Sequence, residues 1–151
     1  MQTIVRKDTN VSLYYLADSK TVNIGSDSTT ISEGGTTELI ISDCDTSNAT
    51  LHQSVDTKTD WWGWKYKHDG SAWSANTDFK GVNTLTSDIN DSVTTIPVKN
   101  SNPFTTSGTV QIGDEKITYT GVDGTNLTGC TRGAASTSAA SHTSRDAVIQ
   151  I

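Results

Sequence analysis

The densest group of chemically capable side chains lies between residues 61 and 79. There Trp61, Trp62, Trp64, Tyr66, Trp73 and Phe79 supply six of the chain's ten aromatic rings. Indole and phenol rings stack on the apolar faces of sugars, so an exposed row of them on a β surface is a candidate glycan platform. The same rings are a small protein's richest source of buried area, at ~150–250 Å² each. Trp61, Trp62, Trp64, Tyr66 and Trp73 are therefore candidates for a glycan face, for a subunit interface and for core. Trp62, Trp64 and Tyr66 alternate with Gly63, Lys65 and Lys67, the period-2 pattern of a strand with one apolar face. On such a strand Trp61 and Trp62 point to opposite faces, which makes Trp61 the candidate for exposure. Asp69-Gly70 reads as a two-residue hairpin turn. Ala72-Trp73-Ser74 then opens the return strand, with Trp73 near Tyr66 or Trp64 across the pair.

Other reactive side chains are sparse. The sequence holds no GxSxG, HExxH, GxGxxG or phosphate-loop motif. His52, His68 and His142 have no Cys, Asp or second His at ligand spacing, and His68, beside Asp69-Gly70, reads as a solvated hairpin tip. Asp43 and Asp45 resemble a fragment of a calcium loop, but Asn48 and Ser54 stand where an EF-hand needs Gly and Glu. Only Glu33, Glu38 and Glu115 are glutamates, a thin supply for a pair of catalytic carboxylates. No cofactor, metal site or catalytic residue is expected. Cys44 and Cys130 are far apart in sequence. They are either two buried thiols or one disulfide, and not the paired ligands of a zinc site.

The elements that must carry these residues follow from composition. The 151 residues include 26 Thr, 11 Ile and 10 Val, against 6 Leu, 3 Glu and 1 Met. β-Branched side chains are stiff at χ1 and pack well on a pleated surface, so the expected fold is all-β, with little or no helix. Asp outnumbers Glu 14 to 3, which favours turns. Ile, Leu, Val and Phe total only 29 residues, which implies a thin core. The net charge of −6 and pI near 4.8 argue against a phosphate-backbone binder. No apolar run reaches the ~20 residues of a membrane span, and the first 30 residues hold no signal-peptide apolar region.

Two small antiparallel modules are expected, sandwich- or barrel-like, over residues 1–80 and 81–151. In the first, Thr3–Arg6, Val11–Leu16, Thr21–Ile24, Thr37–Ser42 and Ala49–Val55 read as strands, with Gly25–Thr30 as a turn. Residues 81–93 read as a polar connection. In the second, Thr94–Val98, Gly108–Ile112, Lys116–Thr120, Asn126–Gly129 and Asp146–Ile151 read as strands. Pro97 marks an edge position, because it cannot donate to a ladder. Ala134–Ser141 reads as a loop or one helical turn. Ile112, Ile117 and Tyr119 are spaced to point inward. Arg132 either ties its loop to Asp114 or Glu115, or stays solvated.

Two stretches carry a resemblance. Thr94–Val98 through Ser107–Gly121 and Leu127-Thr-Gly-Cys-Thr-Arg-Gly133 to Ala139-Ala-Ser-His142 resembles a small β module that recurs in virion proteins of tailed bacteriophages, in fibre, baseplate and decoration contexts. Asn10–Leu16, Asp43-Cys44 and Asp60-Trp-Trp-Gly-Trp-Lys-Tyr66 with Asp69–Trp73 resembles small structural proteins of phages. The resemblance covers about half the chain and implies a virion location, no catalytic residues, and partners among other virion structural proteins. The expected role is capsid decoration or a tail, collar or fibre component, in a homo-oligomer or other symmetric assembly. A host-receptor or glycan-binding module at a fibre tip is the alternative, and a small hydrolase is the more distant one. No nucleic-acid or membrane partner is expected.

Overall fold

The computed structural model describes residues 1–151. The chain is all-β, with fifteen short strands and no helix, in five small antiparallel sheets. It forms two compact units, Met1–Thr77 and Asp78–Ile151, dividing a few residues before the expected boundary.

The first unit contains β1 (Gln2–Arg6), β2 (Ser12–Leu16), β3 (Thr21–Ile24), β4 (Thr29–Glu33), β5 (Thr36–Ile41), β6 (Ala49–His52), β7 (Tyr66–His68) and β8 (Trp73–Ala75). They pair as β2-β1-β6, β3-β4-β5 and β7-β8. Strand β4 begins where a turn was expected. The turn is shorter than the Gly25–Thr30 window, because Gly25 N–H donates to Ser28 O at 2.8 Å and the chain is free to extend from Thr29. Ile4, Ile31, Ile41, Cys44 and Ala49 form the buried cluster, with Tyr14, Leu16, Val22, Ile24 and Leu51 packed around it. Polar groups fill out the interior. Thr3 and Ser12 share a hydroxyl–hydroxyl bond of 2.7 Å, Thr29 Oγ1 donates to Cys44 O at 2.6 Å, and Gln2 Nε2 donates to the carbonyls of Ala17 and Lys20.

The second unit contains β9 (Val82–Thr84), β10 (Ile96–Pro97), β11 (Gly108–Ile112), β12 (Glu115–Tyr119), β13 (Gly121–Val122), β14 (Asn126–Thr128) and β15 (Ala147–Gln150). They pair as β12-β11-β15-β9 and β10-β14-β13. Strand β9 lies inside the stretch expected to be a connection. Three residues are too few to show a period, and pairing with β15 makes them a strand. Pro97 sits on β10, an outer strand. Ile112 faces Glu115 across the β11–β12 hairpin, leaving Gly113 (φ 56°) as the first of two central residues, where a positive φ matches the twist of the strands. The segment 134–141 holds turns and irregular backbone, with no helical turn.

The core of this unit is larger. Ile96, Val110, Ile112, Ile117, Tyr119, Leu127 and Val148 come from its strands, and Leu85, Ile89, Val98, Phe104 and Cys130 from its connections. Ile112, Ile117 and Tyr119 point inward, as their spacing requires. Cys44 and Cys130 are both free and buried, each in the core of its own unit.

Candidate functional site

The aromatic cluster of the first unit separates into two sets. Tyr15 on β2, Trp61, Tyr66 on β7 and Trp73 on β8 form a packed corner. Tyr15 stacks on Trp61 at 5.8 Å and meets Trp73 edge-on at 5.7 Å. Trp73 also meets Tyr66 at 6.3 Å and His68 at 4.7 Å. Their polar atoms are satisfied as well: Trp61 Nε1 donates to Ser12 Oγ at 2.8 Å and Trp73 Nε1 to Asp56 O at 2.9 Å. Trp62 and Trp64 form the other set, 37% and 51% exposed. The exposure expected at Trp61 belongs to its neighbours.

The physical reason is backbone geometry. Residues 61 and 62 are irregular, residues 63–65 form a turn, and the strand begins only at Tyr66. Trp64 has φ 72°, so the period-2 face stops before it. The expected one-sided pattern is inverted at this point, with Trp64 outside and Lys65 buried. Lys65 Nζ is held by Asp60 Oδ2 at 3.2 Å, and Lys58 Nζ reaches Asp60 Oδ1 at 3.1 Å. The Tyr66 hydroxyl also donates to Asp60. Burial alone would raise the Asp60 pKa, but the bonds from Tyr66, Lys58 and Lys65 outweigh it and hold it at about 2. Burial, and then the bond to Asp60, push the Tyr66 phenol upward.

The hairpin also differs in detail. His68 pairs with Trp73 and Tyr66 with Ala75, so residues 69–72 make a four-residue loop, not a two-residue turn. Asp69 Oδ1 accepts from Ser71 N, Ala72 N and Ser71 Oγ, which stabilises the longer loop. His68 is not a solvated tip, being only 2% exposed. Its Nδ1 lies 3.1 Å from His52 Nδ1 and accepts from Gly70 N–H at 3.1 Å. Burial, followed by the nearby His52, lowers its pKa.

Beside Trp64 the surface opens into a groove of about 130 Å³, lined by Arg6, Leu13, Tyr14, Ile41, Asp43, Cys44 and Trp64. The ends of β1 and β5 and the middle of β2 position its walls. Asp43 and Arg6 give it one acceptor and one donor group. Of the five aromatic residues named from the sequence, only Trp64 lines this groove. Arg6, Leu13, Tyr14 and Ile41 belong to three different strands, and no local spacing links them.

The second unit contains a charge cluster built around Glu115. Its buried carboxylate accepts from Arg132 Nε and Nη2, both at 2.8 Å. Gly133 N, Ala140 N and His142 Nε2 also donate to it, at 2.9, 3.1 and 2.7 Å. Of the two readings left open for Arg132, the ion pair with Glu115 is the one present. Burial would raise the Glu115 pKa, but bonds from Arg132, His142 and the two backbone amides hold it at about 2. A carboxylate so fully engaged is fixed as an ion and has no oxygen lone pair directed at a substrate, which is the geometry of a tether and not of a general acid. His142 joins from 27 residues away, a separation that motif spacing does not reveal. No group of three or more His, Cys, Asp and Glu side chains is arranged to hold a metal ion.

Comparison with known proteins adds no relative: no family model, no curated protein and no solved structure matches the chain.

Proposed function

We propose that this chain is a structural protein of a tailed-phage particle that binds other virion subunits, as a capsid decoration protein or as a tail, collar or fibre component. The observation that carries this reading is the presence of exposed apolar side chains on the outer strand of a sheet in both units. Strand β5 is the outer strand of its sheet. Leu39 and Ile40, neighbours that face opposite sides of it, are both exposed, Ile40 to 60%. In the other unit the outer strand β9 exposes Val82 directly across from the exposed Ile149. Strand β5 has no Lys or Pro of its own and a single charged residue, Glu38, tied to Lys20. Two small cores with exposed apolar side chains on outer strands suit a protein whose stability is completed by its neighbours. The sequence resemblance supplies the particle.

The test is copy number in purified particles, by quantitative mass spectrometry against the major capsid protein. Hundreds of copies support decoration, and a handful to a few tens support tail, neck or fibre. Absence from particles removes the virion reading. A second reading, host-glycan binding, is favoured by the exposure of Trp62 and Trp64.

A further inference from the structure

The groove at Trp64 has features that neither core packing nor subunit contact requires. Trp64 is bulky yet has φ 72°, a region that side chains of this kind rarely enter. The backbone is fixed there: Trp64 N–H donates to Ser12 O at 2.9 Å, and Asn76 Nδ2 donates to Trp64 O at 2.8 Å. The result of this strained conformation is an indole kept half in water rather than in the core. Strain of this kind, held firmly by neighbours, is characteristic of functional positions.

The polar groups beside the ring are also available. The Asp43 carboxylate accepts no hydrogen bond within the chain. The Arg6 guanidinium uses only Nε, toward Asp8 at 3.2 Å, leaving its terminal donors for a ligand. The Arg6 cation faces two carboxylates, Asp8 and Asp43, so the groove does not select an anionic molecule. Its size, about 130 Å³, is near the ~150 Å³ that accommodates a single six-membered ring and well under the ~300–1,000 Å³ of pockets for larger organic ligands.

We propose that this groove is a binding subsite for one neutral sugar ring, with the Trp64 indole against its C–H face, Asp43 accepting from its hydroxyls and Arg6 donating to them. This deepens the glycan reading of the aromatic cluster and is independent of where the chain resides. The apolar walls, Leu13, Tyr14 and Ile41, exclude water from the stacked face, and the polar pair discriminates a polyol from a hydrocarbon of the same size.

The experiment is a titration of the full chain with methyl glycosides of glucose, galactose, mannose and N-acetylglucosamine, read at the Trp64 indole N–H by NMR. At least one glycoside shifts that resonance, with a Kd of about a few mM, as expected for so small a ligand. Followed at the backbone amides of Leu13 and Tyr14, Trp64→Ala weakens binding about tenfold or more, Asp43→Asn weakens it less, and Asp91→Asn, exposed in the other unit, leaves it unchanged. Cyclohexanol, which has the ring but only one hydroxyl, binds at least about tenfold more weakly. No indole shift with any of the glycosides overturns the proposal even without the variants. Equal binding of cyclohexanol also overturns it, and makes the groove a socket for an apolar side chain. Either result leaves the copy-number test of the assembly role untouched.

Discussion

Residues 78–151 enclose a continuous apolar cluster with one ion group set at its margin, whereas residues 1–77 have a smaller apolar cluster and complete their interior with hydroxyls, an amide, a lysine and a histidine. The two units use a similar composition differently. In the second, the strands are short but the connections contribute Leu85, Phe104 and Cys130 to the core, so loops and sheets share one interior. In the first, four Trp residues belong to the unit, yet two of them remain exposed. The lesson is that aromatic content is not core content. A ring becomes core only where the backbone turns it inward, and Trp64 is turned outward by its own φ. The first unit compensates with directional bonds, so its stability should depend more on hydrogen bonding and that of the second more on packing.

This contrast can be broken by substitution. In the second unit, Glu115→Ala leaves the buried Arg132 without its counter-ion, bonded only to the carbonyls of Asn90 and Ala140, and should cost about 3–5 kcal/mol, read as loss of amide-exchange protection across residues 78–151. Phe104→Ala empties a fully buried site and should cost a similar ~3–5 kcal/mol. A loss under ~1 kcal/mol in both would contradict the enclosed core.

Acid sharpens the same comparison. Glu115 falls from an ordinary 4.5 to about 2 on folding, so its contribution is complete above pH 4.5 and disappears as pH falls toward about 2. The size is about 3 kcal/mol, and protection of residues 78–151 should fall steeply over that range. Glu115→Gln should flatten this pH dependence; an unchanged profile would show that another group is responsible.

Smaller effects belong to the first unit. Ser12→Ala removes the acceptor of Trp61 Nε1 and the partner of Thr3 Oγ1 and should cost about 1–3 kcal/mol, measured by urea unfolding with Trp fluorescence. Trp64→Ala should cost less than ~1 kcal/mol, because the side chain is exposed. A loss of the ~3–5 kcal/mol typical of a core tryptophan would return Trp64 to the interior and close the groove.

Much of the local structure was legible in the sequence. The limits of β3 and β11 follow from their β-branched runs between turn residues, and the inward set Ile112, Ile117 and Tyr119 follows from period 2. Where the reading failed, a local pattern was overruled by a distant partner. The alternation through Trp62, Trp64 and Tyr66 is genuine in the sequence, but Ser12 and Asn76 hold residue 64 in a turn. His68 follows hairpin logic until His52 and Trp73 enclose it.

The sequence by itself determined the class of structure, because stiffness at Cβ and turn chemistry act within a few residues and need no tertiary partner. It also placed the aromatic residues in the first unit and limited the apolar supply. Only the tertiary structure decided which tryptophans face water, which strands are outer strands of their sheets, and that Glu115, Arg132 and His142 converge. Those outcomes depend on contacts between residues tens of positions apart, and a side chain's exposure is fixed by what the rest of the chain brings against it, which no local period encodes.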